Sequence, residues 1–403
     1  MTPRPILAVA LDGAGWHPAA WRDPSARPGE LFSARYWRDL VQSAERADLD
    51  LVTIEDALGL QSARLWTPDE RTDEVRGRLD ALLIASSVAP LTSRIGLVPT
   101  VTTTHTEPFH VATALQTLDH TSRGRAGWRA QLSGAPHEAE HLGRRTLPAV
   151  DLDALRRGDS EGLRAAFDEA GEVVEVVRRL WDSWEEGAII QDAATGRFID
   201  RTRIHGAEFT GRWFSVAGAS IVPRSPQGQP LVTALAHAAI PYEFAAASAD
   251  LVFVTPLEAA DDARVLREVR EAEERVGRSG IAEFRGEPLR VLADAVVVLE
   301  STEAGARAAL DRLDALHGAP LASDATVFAG TPAQLLERIE AWTAAGYAGV
   351  RLRPARLPRD LEQLADWVLP ALGRRDGAAA TLRARLGFPE AITRHRTRAE
   401  EAA

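Results

Sequence analysis

Cysteine is missing from this sequence of 403 residues. Its absence excludes disulfide bonds, thiolate metal sites and a cysteine nucleophile. An excess of positive charge is also missing, because the formal net charge is −11. Nucleic acids and anionic membrane surfaces attract proteins that carry a positive field. We therefore expect neither as a partner, and small molecules or other proteins instead.

Long apolar runs are lacking as well. The N-terminal stretch, MTPRPILAVALDG, holds an apolar run of about six residues, far short of the roughly 20 that cross a bilayer. It is also too short for the hydrophobic region of a signal peptide. The expectation is a soluble protein of the cytoplasm that does not span a membrane.

What the sequence does contain is a regular alternation of two patterns. Apolar segments of strand length alternate with segments of helical period. The strand segments are residues 5–12, 49–56, 93–104, 124–132, 229–236, 249–256, 291–300 and 347–354. Nearly continuous apolar segments are typical of parallel strands buried on both faces. Eight strand and helix units predict an α/β fold, a (β/α)8 or TIM barrel, as a single domain over residues 1–403.

Two segments exceed the minimal barrel. Residues 135–160 follow the fourth strand and residues 187–229 follow the fourth helix, and both are rich in charged or turn residues. Long connections of this kind are usually functional or mobile. The first should lie at the end of the barrel where active sites form, and the second is long enough to reach it. A C-terminal extension is expected from about residue 370.

Several motifs follow one another in an order that is typical of one protein family. They are LDHTSRGRAGW at 118–128, VVEVVRRLWDSWEE at 173–186, GRWFSVAGASIVPRSPQGQP at 211–230, FAGTPAQLLERIEAW at 328–342 and TLRARLGFP at 381–389. From about residue 30 to residue 389, the chain resembles the bacterial-luciferase-like flavin-dependent monooxygenases. The resemblance is strongest to the branch with nitrilotriacetate, pristinamycin and dibenzothiophene-sulfone monooxygenases.

The resemblance implies a two-component enzyme. A separate flavin reductase supplies reduced FMN, and the barrel uses it with O2 to oxygenate a small organic substrate. The resemblance also implies a homodimer that pairs through the early barrel helices. It further implies that the turn and strand at 118–134 form the floor of the flavin pocket.

Three threonines and an aspartate match flavin-contacting positions of that family. Asp56 ends the second strand, where a helix cap or loop carboxylate is the alternative interpretation. Thr100, Thr102 and Thr103 match a hydroxyl-rich segment along the flavin ring, although a β-branched run also simply favours a strand.

Two neighbouring residues of the fourth strand are further candidates. Trp128 could pack beneath the flavin ring. Arg129 stands where the branch usually has asparagine, and it could pair with an anionic flavin or substrate or simply reach solvent. No catalytic side chain is assigned, because the cofactor carries the reactive chemistry. No spacing of His, Asp or Glu indicates a metal site.

The expected phosphate site departs from the family. Residues 234–241, ALAHAAIP, replace a Gln-Ala-Gly-x-Ser-x-x-Gly motif that holds the FMN phosphate at a helix N-terminus. Ala238 offers no hydroxyl and Pro241 offers no N–H. Phe167 stands in place of a tyrosine. His237 is the candidate that could compensate, together with two further basic residues, Arg144 and Arg145.

These departures leave two alternatives open. The barrel could bind a deazaflavin or another flavin and act as an oxidoreductase, or it could be a non-catalytic homologue with a degenerate phosphate site. The substrate is not identified. The arginines of the second insertion would suit an anionic substrate, although an arginine-rich loop is more often a solvated face; they are Arg197, Arg201, Arg203 and Arg212.

Overall fold

A closed ring of eight parallel strands forms the centre of the molecule. The computed structural model describes residues 4–62, 64, 66–145, 161–373 and 380–395. Its strands are β1 (Ile6–Leu11), β2 (Leu51–Ile54), β3 (Gly96–Thr102), β4 (Gly127–Gln131), β5 (Ile189–Asp192), β6 (Arg197–Ile199), β7 (Phe209–Thr210), β8 (Ser215–Val216), β9 (Leu231–Ala236), β10 (Leu251–Val254), β11 (Arg290–Leu299), β12 (Thr326–Gly330) and β13 (Gly349–Pro354). The ring runs β1-β2-β3-β4-β9-β10-β11-β13 and closes from β13 to β1. The predicted (β/α)8 barrel is confirmed, and each barrel strand lies in a predicted segment, except that β11 begins one residue earlier, at Arg290.

Helices surround this ring. They are α1 (Ala34–Arg46), α2 (Ala81–Val88), α3 (Pro108–Thr121), α4 (Pro136–Leu142), α5 (Glu161–Asp182), α6 (Ala239–Ser248), α7 (Asp262–Val276), α8 (Glu303–His317), α9 (Pro332–Ala345), α10 (Arg359–Gln363) and α11 (Leu382–Arg385). Local sequence sets their ends. Thr331 and Gln334 form a reciprocal capping box at the start of α9, with Pro332 as its first residue, and Gly346 ends it at a φ of 110°. These are standard start and stop signals of a helix.

The inside of the barrel is divided into an apolar lower half and a charged upper half. In the lower half, Ile6, Leu51, Val98, Leu231 and Leu251 point inward. The C-terminal segment closes this end, because α11 and the residues after it insert three buried apolar side chains, those of Leu382, Leu386 and Phe388. The extension expected from about residue 370 therefore contributes to the core.

The turn before β4 lies at this closed end. Gly124 has a φ of 83°, a conformation that glycine adopts without strain. Arg125 is buried and donates hydrogen bonds to the carbonyls of Ala89, Thr92 and Ile95. Since these contacts join the turn to the loop before β3, the glycine and arginine there are structural. The implied flavin-pocket floor therefore does not include this turn, which lies at the opposite end of the barrel from the mouth.

The two insertions contain ordered elements. The first contributes α4, and its residues 146–160 lie outside the described part. The second forms the hairpins β5–β6 and β7–β8. The second hairpin packs along the outside of α5, where the N–H of Arg212 donates to Glu172 at 2.8 Å.

A further excursion lies between β11 and β13 and was not predicted as a strand unit. The lower half of β11 pairs with β10, and its upper half pairs with β12 through residues 295–299. Since β13 occupies the other edge of β11, β12 continues the barrel wall above β10. Together with α8, β12 raises one side of the barrel mouth.

Candidate active site at the barrel mouth

The C-terminal ends of the barrel strands converge on one mouth, as parallel strands in a barrel must. Asp12 follows β1, Asp56 follows β2, Thr102 ends β3 and His237 follows β9. The structure thus brings three of the predicted site positions, Asp56, Thr102 and His237, to the same end of the barrel.

A chain of ion pairs fills the barrel below this mouth. We call it the mouth ion chain, and in order of contact its members are His237, Asp324, Arg353, Asp294, Arg351, Glu55 and Arg129. The N···O distances include 3.2 Å from His237 Nε2 to Asp324 Oδ2 and 2.6 Å from Asp324 Oδ1 to Arg353 Nη1. Arg351 lies 2.5 Å from Asp294 and 3.3 Å from Glu55.

The middle of this chain is shielded from water. Asp294 and Arg351 are fully buried and Arg353 is 1% exposed. Burial opposes the charge of the Asp294 carboxylate, but the two guanidinium groups outweigh burial and lower its pKa below the ordinary value. The same balance lowers the pKa of Asp324, which Arg353 and His237 contact. The neighbouring arginines therefore favour the ionised form of these two carboxylates.

Arg129 belongs to this chain and does not reach solvent. It is 3% exposed, pairs with Glu55, and donates from Nε to Thr100 Oγ1 at 2.8 Å. It also donates to Gln131 Oε1 at 2.5 Å. The predicted solvent-facing alternative for Arg129 is therefore excluded, and Thr100 serves first as its partner.

The remaining threonines lie at the rim. Thr102 and Thr106 share a hydrogen bond of 3.3 Å, and Thr103 donates to the carbonyl of Gln131 at 3.2 Å. Just beyond them, the buried Nε2 atom of His105 has no hydrogen-bond partner within the described residues. A polar atom left without a partner in a buried position points to a missing ligand or water.

Asp56 anchors a helix. Its carboxylate accepts hydrogen bonds from the N–H groups of Ala57 and Ala81, both at 2.8 Å, and Ala81 is the first residue of α2. Burial nevertheless raises the pKa of Asp56. The helix-cap alternative for Asp56 thus describes its contacts, while the residue also lines a cavity at the rim.

Trp128 does not lie at the mouth. It is fully buried on the outer side of β4, where its ring meets that of Trp181 of α5 edge to face at 6.5 Å. Its Nε1 donates to the carbonyl of Val101 at 2.9 Å. Side chains alternate between the two faces of a strand, so that Arg129 points into the barrel and Trp128 points away from it. The structure therefore corrects the expectation that Trp128 packs beneath a flavin.

The expected phosphate site is the N-terminus of α6. Ala238 is its N-cap residue and provides no side-chain hydrogen bond. His237 is bonded to Thr255 at 2.7 Å through Nδ1 and to Asp324 through Nε2. Its side chain is 41% exposed, so it remains open to the mouth. Phe167 packs against Phe244 of α6 at a ring distance of 5.4 Å.

The two arginines expected to compensate are engaged elsewhere. Arg144 pairs with Glu107, and Arg145 pairs with Glu169 at 2.9 Å. The arginines of the second insertion also lie away from the mouth, because the insertion begins at the lower end of α5 and its hairpins lie on the outside. Their contacts lie within the insertion itself or with α5 and the residues that follow it.

Two of the cavities lined by described residues open at the rim. One, of about 460 Å³, lies between the ends of β2 and β3 and the starts of α2 and α3; its polar lining includes Asp56, Arg78, Thr102, Thr106 and His110. The other, of about 390 Å³, lies beside the end of β1; its polar lining includes Asp12, His17, Gln61, Glu74 and His317.

Asp12 lines the second of these cavities. Burial raises the pKa of the Asp12 carboxyl, Arg78 opposes this, and Glu55 reinforces it. No side-chain hydrogen bond or ion pair to Asp12 occurs within the described residues. Asp12 is therefore a partly buried carboxyl group at the mouth that no described side chain contacts by a hydrogen bond or an ion pair.

Sequence reasoning missed most of the mouth ion chain. Its unpredicted members are Glu55, Asp294, Asp324, Arg351 and Arg353. One signal was available: Arg351 and Arg353 are two residues apart in an otherwise apolar barrel strand, which places them on one face, and Asp294 interrupts a run of Ala, Val and Leu. A buried charge in such a strand requires a partner.

Metal sites and membrane-spanning helices are both absent from the described residues. No group of three or more His, Cys, Asp or Glu side chains there is arranged to hold a metal ion. None of the described helices combines the length and the hydrophobicity needed to cross a bilayer.

Comparison with known proteins places this barrel in a family. A family model for luciferase-like monooxygenases matches residues 14–350. The chain belongs to this family. The resemblance drawn from the motifs is thereby confirmed, as is the enzyme class that it implied, a flavin-dependent monooxygenase of the luciferase-like type.

Individual relatives cover the chain to different extents. N-acetyl-S-(2-succino)cysteine monooxygenase of Bacillus subtilis (strain 168) is 27% identical, over 96% of this chain and 98% of that protein. Nitrilotriacetate monooxygenase component A of Aminobacter aminovorans is 32% identical, over 75% of this chain but only 64% of its own length. Among solved structures, long-chain alkane monooxygenase superposes with a TM-score of 0.80 at 21% identity and covers 96% of both chains.

Proposed function

We propose that this protein is the oxygenase component of a two-component system that uses reduced FMN, delivered by a separate flavin reductase, and O2 to oxygenate a small organic substrate. The observation that carries the proposal is the open mouth of a luciferase-like barrel above the buried mouth ion chain. The relative named component A supports a division of labour between two proteins.

The rim offers a fit to the flavin ring. Thr102, Thr103 and Gln131 present hydroxyl and amide groups where β3 and β4 end. His105 adds the buried Nε2 atom without a partner among the described residues, which a polar ring atom can satisfy. Such short polar groups bind a heteroaromatic ring without occupying its space, and they would hold it at the mouth.

The fit to the phosphate is weaker but present. The first N–H groups of α6, those of Ala239 and Ile240, are free of backbone partners within the described residues, as at any helix start. Together with the helix dipole they favour an anion. His237 stands beside them. Pro241 removes one further donor, so that the anchor has fewer hydrogen bonds than the family motif provides.

Bound reduced FMN supplies the two electrons with which one oxygen atom of O2 is reduced to water while the other enters the substrate. The protein's residues have other tasks. The mouth ion chain forms the bottom of the site with fixed charges. Because its middle is buried, solvent does not reach the site from the barrel interior. Burial raises the pKa of the Asp12 carboxyl, which favours the protonated form that can donate a hydrogen bond at the rim.

One further expectation and two alternatives accompany this proposal. The cytoplasm remains the expected location. The two alternatives, a deazaflavin-type oxidoreductase and a non-catalytic homologue, rest on the same weak phosphate anchor, and no observation at the mouth favours either of them over an oxygenase.

The phosphate anchor yields a direct test. Replacing Ala238 with Ser and Pro241 with Gly restores a hydroxyl and an N–H at the start of α6. A hydrogen bond to a charged group contributes about 1.5–3 kcal/mol, and about 1.4 kcal/mol corresponds to tenfold in affinity. The double variant should therefore bind reduced FMN at least about tenfold more tightly, as measured by anaerobic fluorescence titration.

The matched control is Ala247→Ser, which adds a hydroxyl at an exposed position of α6 and should leave the dissociation constant unchanged. An unchanged constant in the double variant would place the phosphate elsewhere. If neither the parent nor the double variant binds reduced FMN, the proposed function fails.

The homodimer expected from the family also has a surface to test. Leu83 of α2 is 67% exposed and Leu91, just after it, is 49% exposed, as a subunit contact requires. Leu83→Asp combined with Leu91→Asp should convert a dimer to a monomer in light scattering at micromolar concentration. Phe198→Asp, at a position 64% exposed in β6, is the control. A parent protein that is already monomeric contradicts the expectation.

A further inference from the structure

Arg78 differs from the arginines of the mouth ion chain in its lack of a carboxylate partner within the described part of the chain. The mouth ion chain pairs each of its arginines with carboxylates. By contrast, the guanidinium of Arg78 forms no ion pair and no hydrogen bond with any described residue, and its Nε atom is buried without a partner. An arginine that is partly out of water and has no carboxylate within ion-pair distance among the described residues favours the binding of an anion.

The backbone around Arg78 is fixed on both sides. Before it, the side-chain amide of Gln61 both donates to the carbonyl of Gly77, at 3.0 Å, and accepts from its N–H, at 2.9 Å. After it, Asp80 caps α2 by accepting from the N–H of Leu83 at 2.8 Å. The loop therefore holds Arg78 in place, while the guanidinium itself is left unused.

Nearby carboxylates do not take the place of a ligand. Both oxygens of Asp56 accept backbone N–H groups, and one oxygen of Asp80 accepts the N–H of Leu83 as the helix cap. The positive charge of Arg78 lowers the pKa of the Asp12 carboxyl, but burial has the larger and opposite effect, so that this pKa remains raised. The positive charge of Arg78 thus remains available at the wall of the 460 Å³ cavity that it lines with Thr102, Thr106 and His110.

We propose that Arg78 binds a carboxylate of the organic substrate, so that this enzyme acts on an anionic, carboxylate-bearing molecule held in the cavity between β2, β3, α2 and α3. The inference rests on the proposed function. The phosphate anchor at α6 follows β9, whereas Arg78 follows β2, and two barrel strands, β3 and β4, lie between them. The two anions therefore occupy different sectors of the mouth, and Arg78 is assigned to the substrate.

Succinate and its neutral analogue succinamide are the probes for this site. Succinate should bind the unmodified protein in calorimetric titration at low ionic strength, and its binding should weaken as salt is added. Arg78→Met, which keeps much of the length of the side chain but not its charge, should raise the succinate dissociation constant at least about tenfold, because a charge-assisted bidentate contact is lost. Arg78→Lys should give an intermediate value, since lysine lacks the planar fork of arginine. Succinamide should bind equally to all forms.

The control for charge alone is Arg267→Met, which removes an exposed arginine of α7 and should not change succinate binding. Reduced FMN is titrated into the parent and each variant in parallel. Its affinity should be the same in the parent and in Arg78→Met, because the phosphate anchor lies in another sector of the mouth.

Three results would overturn the inference. They are equal succinate affinity in the parent and in Arg78→Met, no succinate binding by the parent, and loss of FMN binding alone, which would assign Arg78 to the flavin. Failure of the parent to bind FMN, with succinate binding still dependent on Arg78, would contradict the proposed function but uphold the anion site.

Discussion

Replacement of Asp294 by alanine is expected to destabilise the protein by about 3–5 kcal/mol, the usual cost of removing one partner of a buried ion pair. Asp294 accepts hydrogen bonds from Arg351 and Arg353, and all three are buried. Without the carboxylate, two guanidinium groups remain in the barrel with less compensation. The measurement is the free energy of unfolding from urea denaturation, with Asp311→Ala, at an exposed site on α8, as the control within about 0.5 kcal/mol.

The same variant has a defined pH dependence. The folded pKa of Asp294 is lowered, so its stabilising contribution is complete above the unfolded pKa of about 3.9 and is lost as the pH falls through the folded pKa. The difference in stability between the parent and Asp294→Ala should therefore be constant from about pH 5 to pH 8 and should shrink only in acid. A difference that disappears near neutral pH would show that Asp294 is not held ionised.

Truncation of Leu382 to alanine should cost about 2–5 kcal/mol, as other large cavities in protein cores do. Leu382 is fully buried and belongs to the apolar cluster that closes the lower end of the barrel with Leu386 and Phe388. Because this end is opposite the mouth, reduced-FMN affinity should not change. Leu257→Ala, at a position 55% exposed, is the control for the same chemical change at the surface.

A second substitution, made in the parent and in Leu382→Ala, tests whether Leu382 packs where the structure places it. A Cβ atom at Gly96 would lie 2.7–2.8 Å from the Leu382 methyl groups, closer than real side chains approach. Gly96→Ala should therefore destabilise the parent more than it destabilises Leu382→Ala. Equal costs in the two backgrounds would show that the C-terminal segment does not pack where the structure places it.

The fold could be predicted because the same alternation of strand and helix segments occurs eight times along the sequence. The barrel strands are predominantly apolar, and many of the helices carry their own start and stop residues, so that several weak signals agree. The strand β12 was missed; it is only partly buried and lies outside the closed ring of eight strands. Its pairing with β11 depends on the length of β11, which a local pattern does not reveal.

The site was less predictable, and Trp128 and Arg129 show why. They are adjacent in sequence, and their positions differ only by which face of β4 they occupy. The sequence pattern does not distinguish the inner from the outer face when both are buried. The ion-pair partners were equally unpredictable, because they lie far apart in the sequence. Arg129 contacts Glu55 across 74 positions of the chain, and Arg351 contacts Asp294 across 57. By contrast, the missing hydroxyl at Ala238 and the missing N–H at Pro241 follow from residue type alone.

The most direct test of the central claim is an anaerobic titration of the unmodified protein with reduced FMN, reduced riboflavin and a reduced deazaflavin. The oxygenase account predicts that reduced FMN saturates one site per chain, and that it binds more tightly than riboflavin because α6 and His237 contact the phosphate. Binding of the deazaflavin alone would indicate the alternative oxidoreductase, and no binding of any of the three would contradict a flavin-dependent function.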